Sequence, residues 1–326
     1  MTRRKSPFIH AALMLAALAL APPAIAQQPF PSKPIRVILP FSPGGLADVV
    51  LRALGAEMSK NVGQPILVEN RSGASTMIGA EACARSVPDG QTFCMFAVDT
   101  TSITPFTLKK PPIDPIRDFE PITNMFFLTV GLVVNPSLGA NTLAEFVATA
   151  KAKPGAWNYG STANNVRLFM DEFNRINGTD IRYIPFKGGA DAVNALLGNH
   201  VQALYFGIGN LAGQLRSGKL KVIAVDGARR SPLAPDVPTL AEAGYRGVSL
   251  RAWFGFFSPA GTPRPIVARL HSEIVKVAAT QAFIDKHLTP LGLEPVLDTP
   301  EEFARFLKSD VARGEQLVRQ AGLTSD

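Results

Sequence analysis

Residues 35–48, IRVILPFSPGGLAD, run from an apolar β-branched segment through a proline- and glycine-rich turn straight into a helical pattern. Ile35, Val37, Ile38 and Leu39 favour a strand, Pro40 and Pro43 deny the backbone regular pairing, and Gly44 and Gly45 permit positive φ and close approach. A helix opening at Leu46 leaves its first N–H groups without intrahelical partners and aims them at the turn. Such a turn suits an anion or a carboxylate without any charged side chain.

The same unit recurs along the chain. A helix over 46–60 is expected to bury Val49, Val50, Ala53, Leu54 and Met58, and Gly63 ends it. Strands are expected at 66–68, 92–98, 130–134, 157–160, 181–184, 203–206, 222–225 and 253–258, with helices between most of them. Strand, loop and helix in alternation predict an α/β protein with parallel sheets and right-handed crossovers. The Pro-dense stretch 110–121 and the polar stretch 226–236 read as crossings between two domains. Thr142-Leu143-Ala144-Glu145, Thr239-Leu240-Ala241-Glu242 and Thr299-Pro300-Glu301-Glu302 are expected to cap helices.

The first 26 residues stand apart. Arg3, Arg4 and Lys5 precede an apolar run from Ala11 to Ala21, and Ala24-Ile25-Ala26 fits a small-residue cleavage pattern, so residues 1–26 read as a secretory signal peptide. The run is shorter than the ~20 apolar residues a membrane span requires. Three of the 33 Lys and Arg lie in this leader, so the remainder carries 30 against 26 Asp and Glu. That small excess is scattered, with no basic run interleaved with aromatics, which argues against nucleic acid as a partner. Cys83 and Cys94 fall on a predicted helix and the strand after it, in a compartment that tolerates disulfides. Two buried thiols or one disulfide both fit, because spacing does not fix the distance between their Cα atoms.

Candidate chemistry is sparse. His200, His271 and His287 lie at helix ends or on helix surfaces, outside the Gly-rich loops, so no catalytic triad assembles by spacing. No His or Cys pair has metal-ligand spacing and no Walker A motif is present, so neither metal nor cofactor is expected. One enzyme-like pattern exists: Gly207-Ile208-Gly209-Asn210-Leu211-Ala212 matches G-x-G-x-x-A after a strand, and Asp226 ends the next strand, as in dinucleotide-binding folds. Against it, the helix it opens is short and interrupted by Gly213 and Gly218. A different pattern is more pervasive. Small or hydroxyl residues cluster at the carboxyl ends of the strands in both halves, where open α/β sheets place ligands. They include Phe41, Ser42, Gly44, Gly45, Leu46, Ala47, Asp48, Thr76, Asp99 and Thr100 from the first half. From the second half come Ser161, Thr162, Asn164, Arg167, Lys187, Gly188, Gly189 and Gly207.

Six motifs in order give the pattern a family context: Pro40-Phe41-Ser42-Pro43-Gly44-Gly45 with Asp48, Glu69-Asn70-Arg71 with Gly73-Ala74, Pro88-Asp89-Gly90, Pro185-Phe186-Lys187-Gly188-Gly189, Pro235-Asp236-Val237-Pro238-Thr239 with Glu242-Ala243-Gly244, and Pro259-Ala260-Gly261-Thr262-Pro263. At these residues the chain resembles the substrate-binding receptors of tripartite tricarboxylate transporters, the TctC or Bug family. The resemblance implies a type II periplasmic-binding-protein fold, a Venus flytrap of two α/β domains with two hinge crossings. It implies residues 27–122 with 228–326 as one domain and 123–227 as the other. It further implies a monomeric periplasmic protein, not an enzyme, that delivers a small carboxylate to membrane components of a transporter. In such receptors the first Gly-Gly loop binds a carboxylate through backbone amides and ordered waters, and closure brings Ser161, Thr162 and the loop 187–189 onto the other end of the solute. Signalling to a membrane sensor is the alternative role. The chain departs from the family at 161–167: the loop is about two residues shorter than usual and Arg167 stands where histidine is usual. Loop chemistry on a fixed scaffold sets specificity, so the shortened loop is expected to alter the distal end of the pocket, with Arg167 either taking part there or simply facing solvent.

Overall fold

The computed structural model describes residues 30–161, 164–186, 188–247 and 251–323. The expected signal peptide, Thr162 and Lys187 lie outside the described residues. In chain order the main elements are β1 (Ile35–Leu39), α1 (Leu46–Val62), β2 (Ile66–Asn70), α2 (Met77–Ala84), β3 (Thr92–Ala97), β4 (Phe119–Leu128) and β5 (Val130–Val134). There follow α3 (Leu143–Ala152), β6 (Trp157–Ser161), α4 (Asn164–Asn177), β7 (Ile181–Pro185), α5 (Gly189–Leu197), β8 (Ala203–Gly207), α6 (Ala212–Arg216) and β9 (Lys221–Asp226). The chain closes with β10 (Ala252–Pro259), α7 (Arg264–Ala278), β11 (Leu293–Pro295) and α8 (Pro300–Gln320).

These strands form two sheets, one ordered β11-β4-β10-β3-β1-β2 and the other β7-β6-β8-β5-β9. Both are mixed, not wholly parallel as the alternation of elements predicted. In the first, β1 is parallel to β2 and β3, whereas β10 runs antiparallel to β3 and β4. In the second, β6 is parallel to β7 and β8, whereas β5 runs antiparallel to β8 and β9. The reason is where the chain changes sheets. β4 ends at Leu128, Thr129 intervenes, and β5 begins at Val130, so one extended segment serves both sheets. β5 therefore enters the second sheet at the edge where β8 ends, with Val130 opposite Gly207, and must run against it. β10 enters the first sheet in the same way, with Ala252 opposite Leu128. The passage expected over 110–121 thus leads into β4 of the first sheet, and the expected boundary at 122/123 falls inside that strand.

Local sequence explains most elements. α1 buries Ala47, Asp48, Val50, Leu51, Leu54 and Met58, and Gly63 closes it at φ 70°. Val49, expected inside, is 49% exposed, because the buried stripe runs through 47, 50, 51, 54 and 58. α8 carries the complete Thr299–Glu302 capping box. At α3 only half of one forms: Thr142 accepts from the Glu145 amide, while the Glu145 carboxylate turns to the Asn141 amide. Thr239 and Glu242 exchange both bonds but brace a turn, not a helix. Cys83 of α2 and Cys94 of β3 are joined in a disulfide with Cα atoms 6.3 Å apart, which settles the choice that spacing left open. One apolar cluster spans both sheets: Phe169, Phe173 and Tyr205 of the second share it with Phe257, Phe303 and Leu317, so α8 ties the two halves together.

Candidate functional site

The loop between β1 and α1 lies at the carboxyl edge of the first sheet, with Ser42, Pro43, Gly44 and Gly45 exposed. Gly44 takes φ +79°, a conformation that disfavours any side chain. Gly45 at φ −73° is the residue before α1, and no side chain caps that helix. The amides of its first turn therefore face the loop, unopposed by any side-chain acceptor. Asp48 braces the arrangement. Its carboxylate, 3% exposed as a residue, accepts from the Gly44 amide (2.9 Å), from Arg52 Nε (3.0 Å) and from Asn70 Nδ2 (2.9 Å). Asn70 Nδ2 also reaches the Phe41 carbonyl at 3.0 Å, and Arg52 Nη2 donates to Asn70 Oδ1 at 2.8 Å. The Arg52 guanidinium, with the Gly44 amide and Asn70, holds the Asp48 carboxyl down at about 2, against an ordinary 3.8. Asp48, expected to touch ligand, also braces its own loop. Asn70 belongs to the Glu69-Asn70-Arg71 motif, but Arg52 was not singled out; the Asp48–Arg52 spacing of four residues was the available signal.

The neighbouring strand ends complete this edge. Gly73 to Thr76 leads into α2, and Ala74, Ser75 and Thr76 all have positive φ, at 45°, 50° and 80°. Three consecutive non-glycine residues in the left-handed region store strain, and such strain gathers at ligand sites. The Oγ1 atoms of Thr76 and Thr100 are buried and find no hydrogen-bond partner among the described residues. The turn Asp99–Ile103 follows β3 and packs on α8, where Gly314 lies so close to the Ser102 carbonyl that a Cβ would overlap it.

From the second sheet, Ser161, Asn164, Gly188, Gly189 and Gly207 sit at the matching edge. Ser161 is buried at the end of β6, and its carbonyl accepts the Phe186 amide at 2.9 Å. Gly188 precedes α5 with no side-chain cap, and a Cβ on Gly189 would lie 2.8 Å from the Phe206 ring, so α5 packs closely on β8 there. Asp99 joins the two edges. Its carboxylate accepts the backbone N–H of Asn165 at 3.1 Å, and that of Asn164, at the start of α4. Burial pushes the Asp99 carboxyl up to about 6, partly offset by those two bonds. Asp99 thus links the strand-end edge of the first sheet to the start of α4 on the second.

This arrangement can hold an anionic group, and the comparisons name its kind. The profile of the tripartite tricarboxylate transporter family receptors matches residues 50–323. The chain belongs to that family. Protein BugT of Bordetella pertussis is 31% identical over 313 residues, covering 95% of each chain. A solved periplasmic transporter shares 35% identity and superposes with a TM-score of 0.82, covering 91% of this chain and 100% of its own. MatC from Rhodopseudomonas palustris, solved with bound malate, is 32% identical with a TM-score of 0.77, covering 89% and 100%. The fold is that of the two-domain periplasmic solute receptors, and no helix among the described residues is long and apolar enough to cross a membrane.

In the G-x-G-x-x-A stretch Gly209 packs against the backbone of Leu291, where a Cβ would overlap. Asp226 accepts the buried hydroxyl of Tyr205 and is not free for a ribose. Arg167 lies on α4 beside Asp171 of the same helix and Tyr183 of β7. Its guanidinium lies 3.6 Å from Asp171 and 5.5 Å from the Tyr183 ring centre.

Proposed function

We propose that this receptor captures a small organic carboxylate between its two sheets, in the periplasm, and presents it as a monomer to the membrane components of a tripartite tricarboxylate-type transporter. The lobes of the flytrap are the two sheet units, connected by the crossing at Thr129 and by the return over 227–251. Residues 1–26 act as a cleaved leader. The uncapped first turn of α1 carries this reading: its amides, behind the glycines Gly44 and Gly45, face the same interface as the starts of α4 and α5. Malate in MatC supports the ligand class. Asp48, Arg52 and Asn70 hold the loop in its binding shape before ligand arrives, so little ordering cost falls on binding.

Thermal-shift and calorimetric screening against mono- and dicarboxylates, hydroxy acids and aromatic acids, with NAD in the panel, tests it. A ligand at a hundred times its Kd stabilises by about 2.7 kcal/mol, several degrees in Tm. Saturable stabilisation by a carboxylate, lost in Gly45→Val, is expected. Stabilisation by NAD alone refutes the receptor reading.

A further inference from the structure

The contact of Asp99 with α4 bears on which carboxylates this receptor accepts. β3 lies beside β1 in parallel register, Val37 opposite Phe93 and Ile38 opposite Cys94, so the turn after β3 and the glycine loop after β1 open on the same edge. Asp99 begins that turn, and its side chain crosses to the other sheet unit, where it accepts the N–H groups of Asn164 and Asn165. These are the first two amides of α4, a helix of 14 residues, so the groups that would greet an anion on this side are already taken by a carboxylate of the protein. The bond links residues 66 positions apart, on opposite halves of the molecule. Asp99 is only half-buried and forms no salt bridge among the described residues. At neutral pH it is predominantly ionised.

We propose that Asp99 is a specificity determinant: it occupies the anion-binding start of α4 and excludes a second carboxylate, so the receptor selects carboxylates whose far end is neutral or cationic. This deepens the carboxylate reading above and rests on it. The glycine loop and α1 hold one carboxylate; a second negative group reaching the opposite side would meet a like charge at a site shielded from water and find its donors occupied. Like charges a few ångströms apart at a half-buried site separate affinities by at least about tenfold.

Calorimetry at pH 7.5 tests the proposal with three series of matched length, three to eight carbons: straight-chain monocarboxylates, dicarboxylates, and the dicarboxylate half-amides. Each is titrated into the wild-type protein and into Asp99→Asn, which keeps an acceptor oxygen for α4 and removes the charge. The wild type is expected to bind the monocarboxylate or half-amide at least tenfold more tightly than the dicarboxylate of equal length, and Asp99→Asn to narrow that ratio by tenfold or more. A wild type that prefers the dicarboxylate, or a ratio unchanged in a folded Asp99→Asn, overturns the proposal and leaves the carboxylate reading standing. If the variant fails to fold, the half-amide against the dicarboxylate on the wild type decides alone. Binding by none of the three series overturns both.

Discussion

Replacing Asp48 by asparagine probes how the glycine loop is held. The substitution keeps the shape of the side chain but removes the charge that accepts from Gly44, Arg52 and Asn70. The carboxyl sits at about 2 in the folded protein against 3.8 ordinarily. At about 1.4 kcal/mol for each pH unit, ionised Asp48 contributes roughly 2.5 kcal/mol. The Asp48 side chain is 5% exposed but that of its main partner Arg52 is 50% exposed, so solvent screening makes this figure an upper bound. For a chain of this size the loss lowers Tm by at most about 4–8 °C. The sign with pH follows from the depressed value: the contribution is fully present above 3.8 and disappears as pH falls through about 2. The assay is urea denaturation of both proteins at pH 7, 4 and 2.5, with ligand titrations at pH 7. Asp48→Asn is expected to be less stable at pH 7, to converge on the wild type towards pH 2, and to bind at least about tenfold more weakly because the loop is no longer preset. A variant melting within about 1 °C of the wild type at pH 7, or a gap that widens on acidification, would refute the bracing role.

Gly45→Ala is expected to fold normally, since φ is −73° and a Cβ would lie 3.5 Å from the Ser42 carbonyl, yet to lose at least tenfold in carboxylate affinity. Gly44→Ala instead forces a side chain into φ +79° and should cost about 1–2 kcal/mol of stability, read by denaturation. Cys83→Ser with Cys94→Ser removes a link across 11 positions and should lower stability by about 2–3 kcal/mol, matched by the wild type under reductant. Arg167→Ala should leave the ranking of ligands unchanged and cost at most about 1 kcal/mol, because its ion pair with Asp171 is 42% and 40% exposed; an altered ranking would restore Arg167 to the pocket.

The first Gly-Gly turn and the α/β class were legible because each depends on residues close in sequence: prolines and glycines after a β-branched run, then a helix whose first amides have no partner within it. The buried stripe of α1 and the cap of α8 were legible for the same reason, whereas Val49 was misplaced because the centre of an apolar stripe depends on what the helix packs against. Strand direction was not legible. Periodicity reports that β5 and β10 exist, but their antiparallel course follows from where the chain enters each sheet, a property of the two-sheet assembly.

Roles within the site divided along the same line. Sequence by itself singled out Asp48, Asp99 and Arg167 as polar groups near strand ends, and it determined which residues can line the edge. Only the tertiary structure decided that Asp48 braces its own loop, that Arg167 turns along α4 to Asp171, and that Asp99 reaches Asn164 and Asn165 on the far side. A side chain's role is set by the donors and charges that packing brings within about 3 Å, and in this receptor those partners come from other strands and helices.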